Sequence, residues 1–431
     1  MKKKAVTLLS LLLMLLLAVA GCGDDQASEG ESDGENKTIQ FMHLWPEGNS
    51  TAHYNIVEDI IDGFEKENPG VKVDVEVLSN EQYKEKIKVL SSSDKLPDVG
   101  MTWAAGYLKP YVEGNQFAPL NDVLDGGLED LFVSGTVEAY SIDGQAYGLP
   151  LELNIAPVFY NKAMFDEYGL SAPETYEEFK NIVSVLADNG VAPIALGNKD
   201  RWTGSLWYMY LADRIGGPNL LTEAINGTET FHNAEFQKAA EEIQNLVNQD
   251  AFVQGFNGLS DQEAKSLFMN SQAAMYLIGS WDLPNYTTNE EVPQEFRDSI
   301  GYFSFPTVDG MGDRNSWVGG PGVGLFVAEN SDVKDEAKAF VKYFVEQWGE
   351  QAVTKAGVIP ATKVDTDKVD LHQMYIDVLN DLSNASNITL FADVQMDPDD
   401  AQTHLDLIQA LFGLDVTPEE FTEQHQEALS N

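Results

Sequence analysis

Four of the seven tryptophans in this 431-residue chain stand where chemistry with a ligand is easiest to arrange. Trp45, Trp103 and Trp281 each end an apolar, strand-like run among turn residues, and Trp317 lies in the loop-like stretch "DRNSWVGGPG". In open α/β sheets, ligands bind outside the carboxyl ends of strands, so an indole there is expected to line a cleft. Trp202 and Trp207, in "DRWTGSLWYMY", leave open which of the two reaches it. Trp348 falls on the helical face "FVKYFVEQW" and reads as core, where large aromatics are mostly buried.

Catalytic patterns are absent. No Gly-x-Ser-x-Gly elbow and no His-Glu-x-x-His occurs, and the glycines at 319, 320, 322 and 324 lack the lysine of a phosphate loop. They read as backbone requirements. A glycoside hydrolase would need two carboxylates at a set separation, but with 70 acidic residues such a pair is always available and carries no information. The histidines at 43, 53, 232, 372, 404 and 425 are scattered and read as surface or cap residues. The acidic "DVQMDPDDA" lacks the spacing and central glycine of a calcium loop. No cofactor is expected.

One further residue has a chemistry of its own. Cys22 is the sole cysteine, preceded by Lys2–Lys4, an uncharged apolar run from Leu8 to Ala20, and Ala18-Val19-Ala20-Gly21. That is the layout of a secretory leader, and at roughly 13 residues the run is shorter than the ~20 needed to span a bilayer. The order around Cys22 resembles a bacterial lipobox. Residues 1–21 then read as a signal peptide, and Cys22 as a lipidated amino terminus. The acidic, Gly/Ser-rich "GDDQASEGESDGENK" has too few apolar groups to fold and reads, with Cys22 as residues 22–37, as a disordered tether behind the lipidated cysteine. Loss of the three leader lysines takes the formal charge from −44 to about −47. Such a field disfavours nucleic acid, anionic lipid and anionic ligands, and favours neutral or cationic ones.

The elements that must position these residues follow from hydrophobic period. "TIQFMHL" is a strand, and Ile56, Ile60, Ile61 and Phe64 mark one helix face. "VKVDVEV" alternates as a strand, "EQYKEKIKVLSSS" is a helix, and "LPDVGMTW" is a short strand. This alternation predicts an open α/β sheet with crossover helices. "YGLPLELNIAPVFY" reads as an extended crossing segment. Helices follow at "TYEEFKNIVSVLADNG", "AEFQKAAEEIQNLVNQD" and "SDQEAKSLFMNSQ", then a strand at "AAMYLIGSW", extended stretches at "IGYFSFPTVDG" and "GGPGVGLFVAE", and a mostly helical tail.

In this order, "FMHLWPEG", "FEKENPGVKVDVEV", "LPDVGMTWAAGYLKPYVEG", "YGLPLELNIAPVFYNKAMFDEYGL", "PETYEEFK", "AAMYLIGSWDLPNY", "GGPGVGLFVAENS" and "GVIPATKV" resemble the extracellular solute-binding proteins of bacterial ABC importers. The likeness is to the maltose-binding-protein-like sugar group, and most of all to binders of raffinose and multiple-sugar type. It implies an α/β fold of periplasmic-binding-protein type: two lobes joined by crossings near 150–155, 300–307 and 345–352, with a ligand cleft between them. Residues 38–150 with 305–347 would form one lobe, and 151–304 with 348–431 the other. It implies a neutral oligosaccharide ligand, ABC permease subunits as partners, a separate ATPase chain, a monomer, and an extracytoplasmic, lipid-anchored location at the cell membrane. On this likeness Trp281, in "GSWD", stacks on the sugar and Glu47 bonds it. Glu152 and Asn154 lie on the first crossing, where a buried carboxylate needs a partner; a sugar hydroxyl or a hinge salt bridge would serve. Asp282 would bond ligand or cap a turn, and Asp393 would face the cleft.

Overall fold

The computed structural model describes residues 37–429 apart from 49, 367 and 368. The leader, Cys22 and nearly all of the tether lie outside the described residues. A five-stranded sheet orders its strands Val71–Val77, Lys37–His43, Val99–Thr102, Gly324–Val327 and Leu149–Pro150. The first three run parallel, with Ile39 opposite Val73 and Phe41 opposite Val99, and the last two are antiparallel additions. Parallel strands need crossover helices. Thr51–Glu67 supplies the first, burying Ile56, Ile60, Ile61 and Phe64, the face its spacing predicts. Phe64 meets Phe340 of the helix Lys334–Gln351 at 5.1 Å.

The second lobe carries two sheets. One orders Ile300–Phe303, Val158–Asn161, Ala273–Leu277 and Ala192–Ala195. The other orders Asn387–Thr389, Ser316–Pro321 and Leu153–Ile155. Within this lobe lies the helix Trp202–Gly216, whose residues Thr203 through Ile215 are all buried. A helix buried all round shows no apolar stripe, which is why periodicity does not announce it.

The chain passes between lobes at places that sequence spacing locates only in part. It leaves the five-stranded sheet after Pro150 and enters the three-stranded one at Leu153. The return lies at 321–324, between Ser316–Pro321 and Gly324–Val327. The segment 300–307, expected to cross, instead begins with a strand paired to Val158–Asn161, and Phe305 stacks on Tyr210 at 4.9 Å. Residues 305–321 therefore pack with the second lobe. The segment 345–352, also expected to cross, lies in and just after the helix Lys334–Gln351, whose Trp348 stacks on Trp45 at 4.8 Å and 6°. Further along, Lys363 N–H bonds Leu131 O, whereas Asp381 of the helix Gln373–Ser383 accepts from Tyr302 at 2.7 Å, so these two segments pack in the surroundings of different sheets. At the crossing strands, a Cβ on Gly319 would meet Asn154 O at 2.2 Å, so that position needs the absence of a side chain.

Four histidines that read as surface or cap residues are buried instead: His43, His53, His404 and His425. Only His372 caps a helix, accepting from Met374 N–H. Burial pushes His43 down to about 4. Its folded pKa thus lies below the unfolded value near 6.5, the unfolded chain binds more protons between about 4 and 6.5, and stability falls as pH drops through that window. The slope is about 1.4 kcal/mol per pH unit for one such group. Thermal melts from pH 7.5 to 4.5 should show His43→Phe losing stability less steeply than the parent. Parallel curves would refute the assignment.

Candidate functional site

Ends of strands and starts of helices converge between the lobes on one cleft of about 180 Å³, smaller than the ~300–1,000 Å³ usual for small-molecule sites. From the first lobe come Trp45, two residues past the strand Lys37–His43, and His53 in the first turn of the helix Thr51–Glu67. Lys84 projects from the helix Asn80–Ser92, Trp103 follows Val99–Thr102, and Tyr107 lies on the helix Ala105–Glu113. The second lobe contributes Trp202 and Ser205 from the start of the buried helix, Asp261 and Lys265 from Asp261–Met269, and Trp281 and Asp282 from the tight turn Ser280–Tyr286. Phe391 and Asp393 complete that wall, and Glu152 and Asn154 come from the crossing.

The aromatic platforms are braced. Trp281 stands edge-on to Trp202 at 6.0 Å and to Phe391 at 5.8 Å. Trp103 has Tyr107 at its edge at 4.9 Å and the Lys84 ammonium 5.0 Å from its ring centre, a cation–π contact. Trp45 shares one face with Trp348, whose Nε1–H donates to Leu151 O at 2.9 Å. Trp202 follows Arg201, held at φ 66° and ion-paired with Asp406; a positive φ is uncommon for any residue but glycine.

The polar groups are already networked. Glu152 Oε1 lies 3.0 Å from His53 Nε2, and Oε2 accepts from Asn154 Nδ2 at 3.4 Å. Between a sugar hydroxyl and a hinge salt bridge, the partner present for Glu152 is His53, 99 residues away in sequence. Asn154 Oδ1 accepts from Ser280 Oγ at 3.0 Å. Asp282 is ion-paired with Lys265 at 2.5 Å and accepts from Tyr286 at 2.5 Å and Asn285 at 2.9 Å. With three of a carboxylate's roughly four acceptor positions taken, Asp282 chiefly holds the Lys265 ammonium. Burial pulls the Lys265 pKa down, but Asp282 and Asp261 outweigh it and the net shift is upward. Asp261 is pushed up to about 6 by burial, against Lys265 and a hydrogen bond from Tyr276. Burial also raises Asp393, against the pull of Lys84.

Eight of the ten ligand candidates read from the sequence line this cleft: Trp45, Trp103, Glu152, Asn154, Trp202, Trp281, Asp282 and Asp393. Two do not. Glu47 is exposed on the turn beyond Trp45, because Pro46 and Gly48 turn the chain outward before the helix. Trp317 is 2% exposed as the second residue of the strand Ser316–Pro321, opposite Ile388; it is core, where a loop was expected. Trp207 is core as well, leaving Trp202 as the indole of that pair in the cleft. His53, Lys84, Ser205, Asp261 and Lys265 were not legible as site residues. The one usable signal was the i,i+4 spacing of Asp261 and Lys265 on a single helix face.

Among the described residues no helix is long and apolar enough to cross a membrane. Residues 47–347 match the family of bacterial extracellular solute-binding proteins. A multiple sugar-binding protein of Streptococcus mutans is 26% identical over 79% of this chain and 78% of its own length. The melibiose/raffinose/stachyose-binding protein MelE of Bacillus subtilis is 24% identical over 88% and 86%. Among solved structures, one from work on xylan utilization by the thermophilic bacterium Caldanaerobius polysaccharolyticus is 34% identical with a TM-score of 0.86, covering 90% of this chain and 99% of that one. A chitin oligosaccharide binding protein superposes with a TM-score of 0.84 at 25% identity, over 92% of this chain and all of its own. The two curated relatives and the chitin oligosaccharide protein are named as binding proteins, and the family match spans well over half of the sequence: the chain belongs to the bacterial extracellular solute-binding protein family.

Proposed function

We propose that this protein captures a neutral oligosaccharide between its lobes and delivers it to the permease of an ABC transporter, acting as a monomer held at the outer face of the cell membrane by lipid on Cys22. The observation that carries the reading is that indoles from both lobes, Trp45 and Trp103 on one side and Trp202 and Trp281 on the other, line one cleft interleaved with carboxylates, amides and lysines. A sugar ring has an apolar C–H face for an indole and a rim of hydroxyls for the polar groups. The named relatives that bind multiple sugars, raffinose-type sugars or chitin oligosaccharides support it, and the strong negative charge disfavours an anionic ligand. Closure of hinged lobes around the ligand is the usual device of binding proteins. The Cys22 anchor rests on the lipobox order alone.

Calorimetric titration of the chain from Cys22 onward tests this. The panel is xylotriose, maltotriose, raffinose, 1-kestose and chitotriose, with xylotriose first because of the 34% identical structure. Micromolar or tighter binding to one class is expected. A folded protein that binds none of them would overturn the oligosaccharide reading.

A further inference from the structure

Ser205 lines the cleft in the first turn of the helix Trp202–Gly216, three residues after Trp202. Its hydroxyl is the first member of a hydrogen-bonded series that runs into the second lobe. Ser205 Oγ lies 2.7 Å from His404 Nε2, on the helix Pro398–Phe412. His404 Nδ1 lies 2.9 Å from His425 Nε2, on the helix Pro418–Leu429. His425 Nδ1 lies 2.8 Å from the backbone oxygen of Phe421. All three side chains are almost fully buried, with Phe231 stacked on His425 at 4.9 Å and the Phe421 and Tyr208 rings packed about the pair.

The position of each hydrogen follows from the far end. A carbonyl oxygen only accepts, so His425 Nδ1 carries a hydrogen. A neutral imidazole has one N–H, so its Nε2 accepts. The hydrogen between the rings therefore belongs to His404 Nδ1, which leaves His404 Nε2 as an acceptor. The Ser205 hydroxyl must then donate to it. Both rings are neutral at pH 7: burial pushes His425 down to about 4, and burial together with His425 pushes His404 well below the ordinary range. A hydroxyl has a single hydrogen, and that of Ser205 is spent inward.

We propose that Ser205 is a specificity-determining residue of the cleft, an acceptor-only hydroxyl whose polarity is set by the His404–His425 relay, and that it selects a ligand bearing a free hydroxyl donor at that point. A free serine rotates to suit donor or acceptor. Ser205 takes an O–H and refuses an ether oxygen, a carboxylate or a phosphate, because two acceptors facing each other in a buried site leave both unpaired. His404 and His425 are positioning residues that act through Ser205. The proposal rests on the reading that a polyhydroxylated ligand occupies the cleft.

The relay is tested without ligand by long-range ¹H–¹⁵N correlation on histidine-labelled protein from Cys22 onward at pH 7. Both His404 and His425 should appear as Nδ1–H tautomers, and Ser205→Ala should shift the His404 Nε2 resonance while His425 keeps its tautomer. An Nε2–H tautomer at His404, or an imidazolium at either position, overturns the relay. In the titration panel above, Ser205→Ala should weaken the ligand that binds by about 10- to 100-fold. His425→Phe, which keeps an aromatic ring but removes the acceptor of His404 Nδ1–H, should weaken it by a smaller factor and add an Nε2–H population at His404. Unchanged affinity in Ser205→Ala overturns the specificity role. A parent protein that binds no member of the panel overturns the sugar reading, and the ligand half of this proposal with it, whereas a wrong tautomer in a protein that binds its sugar overturns the relay alone.

Discussion

Trp281→Ala is expected to weaken oligosaccharide binding by at least about 30-fold, the effect of losing an aromatic anchor worth ~2 kcal/mol or more. The ring follows the strand Ala273–Leu277 and is half-buried, with Trp202 and Phe391 against it edge-on. A platform so braced loses little freedom when a sugar stacks on it, so most of its contact energy appears as affinity. The same titration on Trp281→Phe should recover part of the loss, since a smaller ring still offers a flat apolar face. Glu47→Ala, on the exposed turn outside the cleft, should leave affinity unchanged. Affinity within twofold of the parent in Trp281→Ala would remove this residue from the ligand's contacts.

Arg214→Met should cost about 3–5 kcal/mol of stability, the usual penalty for stripping one partner from a buried ion pair. The Arg214 side chain is fully buried. Its Nη1 pairs with Asp213, its Nε and Nη2 donate to Phe305 O at 3.2 and 3.1 Å, and Nη2 also donates to Ser316 O at 2.9 Å. Asp213 in turn accepts from Ser316 Oγ at 2.6 Å. Methionine fills much of the space but leaves a buried carboxylate without its cation and two carbonyls without donors. Denaturant unfolding followed by tryptophan fluorescence would measure the loss, and pairing the change with Asp213→Asn should recover part of it, because removing both charges is cheaper than removing one. A loss below about 1 kcal/mol would mean that Arg214 is not what binds the stretch 305–316 to the second lobe.

The residues just beyond that stretch show where local pattern stops informing. "GGPGVGLFVAE" reads as one extended run, but it is the end of one strand and the whole of another, in different sheets, with the crossing at 321–324 between them. Each half has the composition of a buried strand, and nothing local says that the sheet changes. The resemblance put a crossing near 300–307, where the chain is extended but Ile300–Phe303 remains paired to Val158–Asn161.

By itself the sequence determined the alternation of strands and helices in the first sheet, and the placement of Trp45, Trp103 and Trp281 at strand ends. These are readable because burial of one face imposes a short period, and because strand termini carry their own turn chemistry. Only the tertiary structure decided which helix is buried on every side, that Trp317 is core, that Glu47 turns outward, and which charges meet. His53 finds Glu152 across 99 residues, and Ser205 finds His404 across 199. Such contacts are set by how whole elements pack, and a side chain's type and its immediate neighbours carry no record of a partner that far along the chain.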